Sequence, residues 1–170
     1  TGIKEWDALS KAKYLADIRN AFYADQTQIE QTKSLARDIG SRGDYVAQLL
    51  TALSLYIHAE NDKFFGLPIS AKDIEFSYLT TALSYNKITT WLGLAGRTDI
   101  NMPGLNKGNL KRAFAWMFSK DQQGRTILGE SRNLDKLAEI VSSAEAVRML
   151  EETGKLGEAY LYSEGRKFSS

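Results

Sequence analysis

The chain has 170 residues, with 22 Lys+Arg against 21 Asp+Glu, one histidine and no cysteine, for a formal net charge of +1. That length can bury a real core as one medium domain or two small helical units, and 43% hydrophobic against 25% charged residues is an ordinary globular balance. The missing cysteines exclude disulfides and thiolate metal sites, and the near-zero charge excludes a histone-like coat that binds polyanions by charge alone.

Hydrophobic residues recur with a period near 3.6, and alternating β-branched runs are missing. The chain therefore reads as all-α: a multi-helix domain containing a helix-turn-helix, followed by a smaller helical subdomain. In chain order, the first helix is "DALSKAKYLADIRNAF", with Leu9, Ala12, Leu15, Ile18 and Phe22 on one stripe. The second begins at "TQIE", where Thr27 and Glu30 have capping-box spacing, and ends before Gly40. The third begins at "SRGD", where Ser41 and Asp44 have the same spacing, and runs through Leu53 towards His58.

"SAKD", with Ser70 and Asp73, predicts the start of a fourth helix carrying Ile74, Phe76 or Tyr78, Leu79 and Leu83. "YNKITTWLGL" predicts a fifth, carrying Ile88 and Trp91. Residues 93–108 turn polar and glycine-rich around Pro103, and are expected to divide residues 1–92 from a second helical unit at 109–170. In that unit "NLKRAFAWMF", "NLDKLAEIV", "SAEAVRMLEE" and "KLGEAYLYSE" predict short helices, with Ser142 and Glu145 at capping-box spacing.

The stretch that carries function is "QTKSLARDIGSRGDYVAQLL", residues 31–50. Ala36 is small where two helices must cross, and Gly40 tolerates the positive φ of a sharp turn. Leu35 and Ile39 are spaced to pack on Val46 and Leu49. This is the spacing of a helix-turn-helix core, and an ordinary αα-hairpin satisfies it too.

"KAKYLADIRNAF", a polar spacer, "SLARDIGSRGDYVAQLLTALSL" and then "ISAKDIEFSYLTTAL" resemble the DNA-binding domain of ParB-type partition proteins. The resemblance covers about residues 5–92, and its last segment lacks the His-Ala-Arg that many members carry there. It implies sequence-specific binding of double-stranded DNA, as the central domain of a plasmid or chromosome partition protein. A homodimer in the full-length protein and a partition ATPase are the further partners it implies. The chain opens on Thr1 rather than Met, so a longer protein is expected.

On this reading Arg42, Gly43, Asp44, Tyr45, Ala47 and Gln48 lie where base edges are reached. Arg42 suits guanine and Gln48 adenine, while Asp44 either serves the helix cap or accepts from a cytosine amine. Thr32, Lys33 and Ser34, near the start of the preceding helix, are placed to hold a phosphate. A positive segment between residues 97 and 132 holds Arg97, Lys107, Lys111, Arg112, Lys120, Arg125 and Arg132 against Asp99, Asp121 and Glu130. Lys107, Lys111 and Arg112 are its candidate phosphate contacts. Phe114, Trp116 and Phe118 between them are expected to face the core.

No catalytic residue, cofactor or metal is expected. His58 is the sole histidine and reads as a helix-surface residue, Glu151 and Glu152 are adjacent and so face differently, and "GLAGR" and "GLNKG" lack the Walker-A order. No apolar run approaches the roughly 20 residues that cross a bilayer, and no signal-peptide pattern opens the chain. A cytoplasmic, nucleoid- or plasmid-associated location follows as an expectation. Two other readings use the same surface: a transcriptional repressor or the targeting module of a ParB-like nuclease, and, from another class, a protein-interaction module that docks a partner on residues 42–48.

Overall fold

Nine α-helices and no strand form among residues 6–169, which the computed structural model describes, side chains as far as Gly165. Helix α1 (Ala8–Phe22) begins where the Asp7 carboxylate accepts the Ser10 N–H at 2.9 Å, a bond that also holds its carboxyl below the usual range. Ala12 and Leu15 are fully buried, as the stripe predicts. Phe22 is not: it is 71% exposed. It occupies the last residue of α1, where the chain leaves the helix, and Tyr23 packs against the core in its place.

Helix α2 (Gln28–Ile39) is opened by the expected box between Thr27 and Glu30. It is stopped by Gly40, whose φ of 65° is left-handed, and the Ser41 N–H bonds back to the Ala36 carbonyl at 2.8 Å. That bond assigns Ser41 to the turn. Helix α3 (Gly43–Asn61) therefore starts one residue later than expected, with Arg42 at the cap position and no side-chain capping bond. The Ser41–Asp44 box does not form, because Asp44 lies in the second helical position rather than the third.

Helix α3 is apolar nearly all round, and a helix of that composition has to be central. Val46, Ala47, Leu49, Leu50, Ala52, Leu53, Leu55, Tyr56 and Ala59 are all buried, and α1, α2, α4 (Phe76–Ala82) and α6 (Lys107–Phe118) pack on it. Beyond its end, Lys63, Phe64, Phe65 and Gly66 take φ of 53°, 53°, 60° and 72°, one full left-handed turn. L-residues resist this conformation by roughly 1–2 kcal/mol each. Two aromatic contacts hold it: Phe64 edge-on to Tyr56 at 6.3 Å, and Phe65 edge-on to Phe114 at 6.1 Å.

The box between Ser70 and Asp73 forms, yet it caps a single 3-10 turn (Ala71–Asp73) rather than the fourth helix. Helix α4 starts only at Phe76, and Ile74 is half-buried in the connection. In α5 (Asn86–Leu92) Ile88 is buried and Trp91 stacks on Trp116 of α6 with ring centres 5.7 Å apart. Phe114, Trp116 and Phe118 are buried, on the core side as expected.

The segment expected to divide two units is packed into a single core. Leu94, Ile100 and Met102 are buried, and Gln28 donates to the Thr98 carbonyl at 2.9 Å. The buried apolar cluster runs from Ala12 to Ala159 without a break. Helices α7 (Leu134–Val141), α8 (Ala144–Thr153) and α9 (Leu156–Ser169) pack on one another, and Lys87 joins α5 to α7 through both oxygens of Glu139 at 2.7 and 2.8 Å. The α8 cap is Ser143, which accepts the Ala146 N–H; Ser142, the expected cap, instead donates to the Glu139 carbonyl and finishes α7. Among the described residues no helix is long and apolar enough to cross a membrane.

The connection is closed by Gly93, at φ 85°, against Gly104: a Cβ on Gly93 would lie 2.1 Å from the Gly104 carbonyl oxygen. Gly93→Ala should therefore cost about 2–5 kcal/mol, from the left-handed backbone plus the clash with an immobile carbonyl. Urea unfolding of the two proteins measures it; coincident curves would mean that the two glycines do not touch.

Candidate nucleic-acid interface

Between Val46 and Tyr56 most of α3 is buried, whereas its first turn surfaces. Ser41, Arg42, Asp44, Tyr45 and Gln48 line a shallow cleft of about 380 Å³, and the loop after α5 adds Arg97. The Gly40 turn aims this end of α3 outward, because Leu35, Ala36 and Ile39 of α2 must meet Val46 and Leu49 inside.

At the centre of the cleft is Asp44. Its Oδ2 accepts from Arg42 at 2.9 Å and from Arg97 at 3.1 Å, while Oδ1 accepts the Tyr45 N–H at 3.0 Å. Desolvation pushes the Asp44 carboxyl upward, but Arg42, the Tyr45 amide and Arg97 together outweigh it and hold the group below its ordinary value. The Arg42 side chain is 83% exposed and that of Arg97 49%. Tyr45 is 40% exposed; Lys11 of α1 donates to its hydroxyl at 3.2 Å and sits 5.4 Å from its ring centre.

Gln48 reaches the cleft but is tied to α4. Its Nε2 donates to the Thr80 carbonyl at 2.7 Å and to the Ser84 hydroxyl at 3.1 Å, and its Oε1 faces Arg97 at 3.4 Å. Gly43 is open, with nothing within 4 Å of where a Cβ would stand. Ala47 is not a surface residue: only 4% is exposed, because one step along the helix turns it inward between α3 and its neighbours.

The expected phosphate contacts are dispersed. Thr32 and Ser34 are buried on the inner side of α2, where Thr32 donates to the Ile29 carbonyl and Ser34 to the Gln26 side chain. Lys33, between them, is exposed. Lys107 lies 3.4 Å from Asp62, the residue that ends α3. A helix of 19 residues spans about 28 Å, so Lys107 stands at the far end of α3 from Arg42. Arg112 is bonded to Glu151 at 2.8 Å and to Asn109 at 3.0 Å. Lys111 is exposed beside a separate cleft of about 460 Å³ that also holds Arg112, Trp116 and Glu151. Lys120, Arg125 and Arg132 pair with Asp73, Asp121 and Glu130. The positive segment is thus not one continuous cationic face.

Two residues at the cleft, Lys11 and Arg97, were not among the expected base-reading residues, although Arg97 belongs to the positive segment. Lys11 carries a visible signal: it shares the stripe of Leu15, Ile18 and Phe22, four residues before Leu15. A lysine there has to find a polar partner, and Tyr45 is one. Arg97 shows its charge but not its place, since nothing local connects it to Asp44 across 53 positions.

Comparison with protein-family models, characterised proteins and solved structures finds no match to this chain.

Exposed Arg42 and half-buried Gln48 differ in what holds them. Gln48→Ala removes a bond to a backbone carbonyl and should cost about 1 kcal/mol, whereas Arg42→Ala, at an exposed ion pair, should change stability by less than about 0.5 kcal/mol. Thermal melts followed by circular dichroism test the order; a larger loss at Arg42 would place it in the packing.

Proposed function

We propose that the chain binds double-stranded DNA and reads it with the first turn of α3, as ParB-type partition proteins do with the segment it resembles. The single observation that carries this reading is the α2–Gly40–α3 corner: its inner residues are buried while Arg42 and Tyr45 stand outward at the start of α3. The Tyr45 amide is taken by the Asp44 carboxylate, but Arg42 makes no side-chain cap, which leaves the Gly43 and Asp44 amides at the positive dipole end for a phosphate.

The reading surface is narrower than the sequence implies. Arg42, Asp44, Tyr45 and Arg97 form it; Gln48 braces it from behind. Their ion pairs are exposed, and such pairs contribute only about 0–1 kcal/mol, so they can exchange for base edges that offer equivalent partners. A partition role, with a second copy of the chain and an ATPase as partners, is the form of this function that the resemblance favours. Repression and nuclease targeting would use the same contacts and differ in what is attached.

Selection from random duplexes at moderate salt should enrich one sequence. On that sequence Arg42→Ala should weaken binding by about 1–3 kcal/mol, and by much less on scrambled DNA. The measurement is fluorescence anisotropy on both duplexes, with the chain alone and fused to a dimerising partner. If neither form enriches a sequence, DNA reading is abandoned, and docking of a protein on residues 42–48 takes its place.

A further inference from the structure

We propose that Asp44 is a specificity-determining residue: its carboxylate withholds Arg42 and Arg97 from phosphates at large, and releases them where a duplex offers a cytosine amine beside a guanine. The inference rests on the DNA reading above and concerns the same surface.

The cleft carries an ordered pattern of charge: cation, anion, cation. One oxygen of Asp44 serves both guanidiniums, at 2.9 and 3.1 Å, and no local geometry forces this, because Arg97 arrives from a separate loop. A sugar-phosphate backbone presents acceptors alone. Against it the two arginines gain partners while the carboxylate, which has no proton to donate, loses its own and faces like charge. Such a contact is weak for any sequence.

A C·G pair in the major groove presents the complementary pattern. The cytosine N4 amine donates, which suits a carboxylate, and guanine O6 and N7 accept side by side, which suits a guanidinium fork. There the carboxylate and one guanidinium exchange their partners for equivalent ones, and the second guanidinium is freed for a neighbouring guanine or phosphate. Gln48, held by Thr80 and Ser84, stays in place as the backstop against which Arg97 turns. Asp44 thus discriminates by repulsion as much as by attraction.

Asp44→Asn tests this in the full chain, since it keeps the shape and removes the charge. On a scrambled duplex the variant should bind about tenfold more tightly near 0.1 M salt for each guanidinium released, with a salt slope steeper by about one unit per release. The enriched duplex should gain less, so the ratio between the two should fall by about tenfold or more. Arg97→Gln should barely move the scrambled-DNA slope in the parent, yet remove about one unit in the Asp44→Asn background. Asp44→Glu, which retains the charge, should leave scrambled-DNA binding weak. Melting temperatures identify any variant that fails to fold, and Asp44→Ser then replaces Asp44→Asn. An unchanged slope in the neutral variant, or equal weakening on every duplex, overturns the proposal and leaves Asp44 a structural residue. A parent chain that binds no duplex at any salt is a different result: it removes the DNA reading itself.

Discussion

The enclosure of α3 is the constraint on which the rest depends. Ten of its side chains are buried, on every side of the helix, so neighbours have to be found for it all round. Helices α1 and α2 come from before it, α4 and α6 from after, and each presents small or branched residues where it approaches. Ala12 of α1, Ala36 of α2, Ala82 of α4 and Ala113 of α6 are all at or below 5% exposure, and such alanines let backbones come close. Once α3 is covered in this way, only its ends are left to meet anything else. The outward first turn is a consequence of the packing rather than a separate feature.

The connections are made with unusual backbone, held by packing. After α3 the chain reverses through four left-handed residues, two of them phenylalanines. The strain there is stabilised by ring contacts with Tyr56 and Phe114, which belong to α3 and α6, so the turn also fixes those helices to each other. The loop after α5 works similarly. It is closed at its base by Gly93 against Gly104, anchored inside by Ile100 and Met102, and tied to α2 through Gln28. A loop held at so many points can deliver Arg97 to Asp44 in a defined place. A flexible linker could not.

Electrostatically the surface is a mosaic of short pairs. Arg112 with Glu151, Lys87 with Glu139 and Lys107 with Asp62 each cancel locally, which is how a chain of net charge +1 spreads 22 cations without a large positive field. Exposed pairs of this kind add little stability. Their effect is to reduce long-range attraction to polyanions. The proposed affinity for a duplex would therefore have to come from close, matched contacts, and the cleft around Asp44 is where Arg42 and Arg97 converge from two separate segments.

Much of the architecture was legible in the residues themselves. Helical periodicity set the class, Thr27 with Glu30 set the start of α2, and Gly40 set its end, because these are local: an amide, a hydroxyl and a left-handed φ are decided within four or five positions. The same locality explains the errors. Ser41 and Asp44 have the spacing of a cap, yet the Ser41 amide bonds backward to Ala36 and shifts the start of α3. Thr32 and Ser34 look like surface polar residues, and only the packing of α2 reveals that they face inward. Residues 93–108 have the composition of a linker, and become part of the core because three scattered apolar side chains find a place there together. The sequence by itself determined that this protein is helical and where the α2–α3 corner lies. Only the tertiary structure decided that Ala47 is buried, that Gln48 is a brace, and that Asp44 holds Arg97, because each depends on contacts between segments far apart in the chain, which periodicity and spacing do not encode.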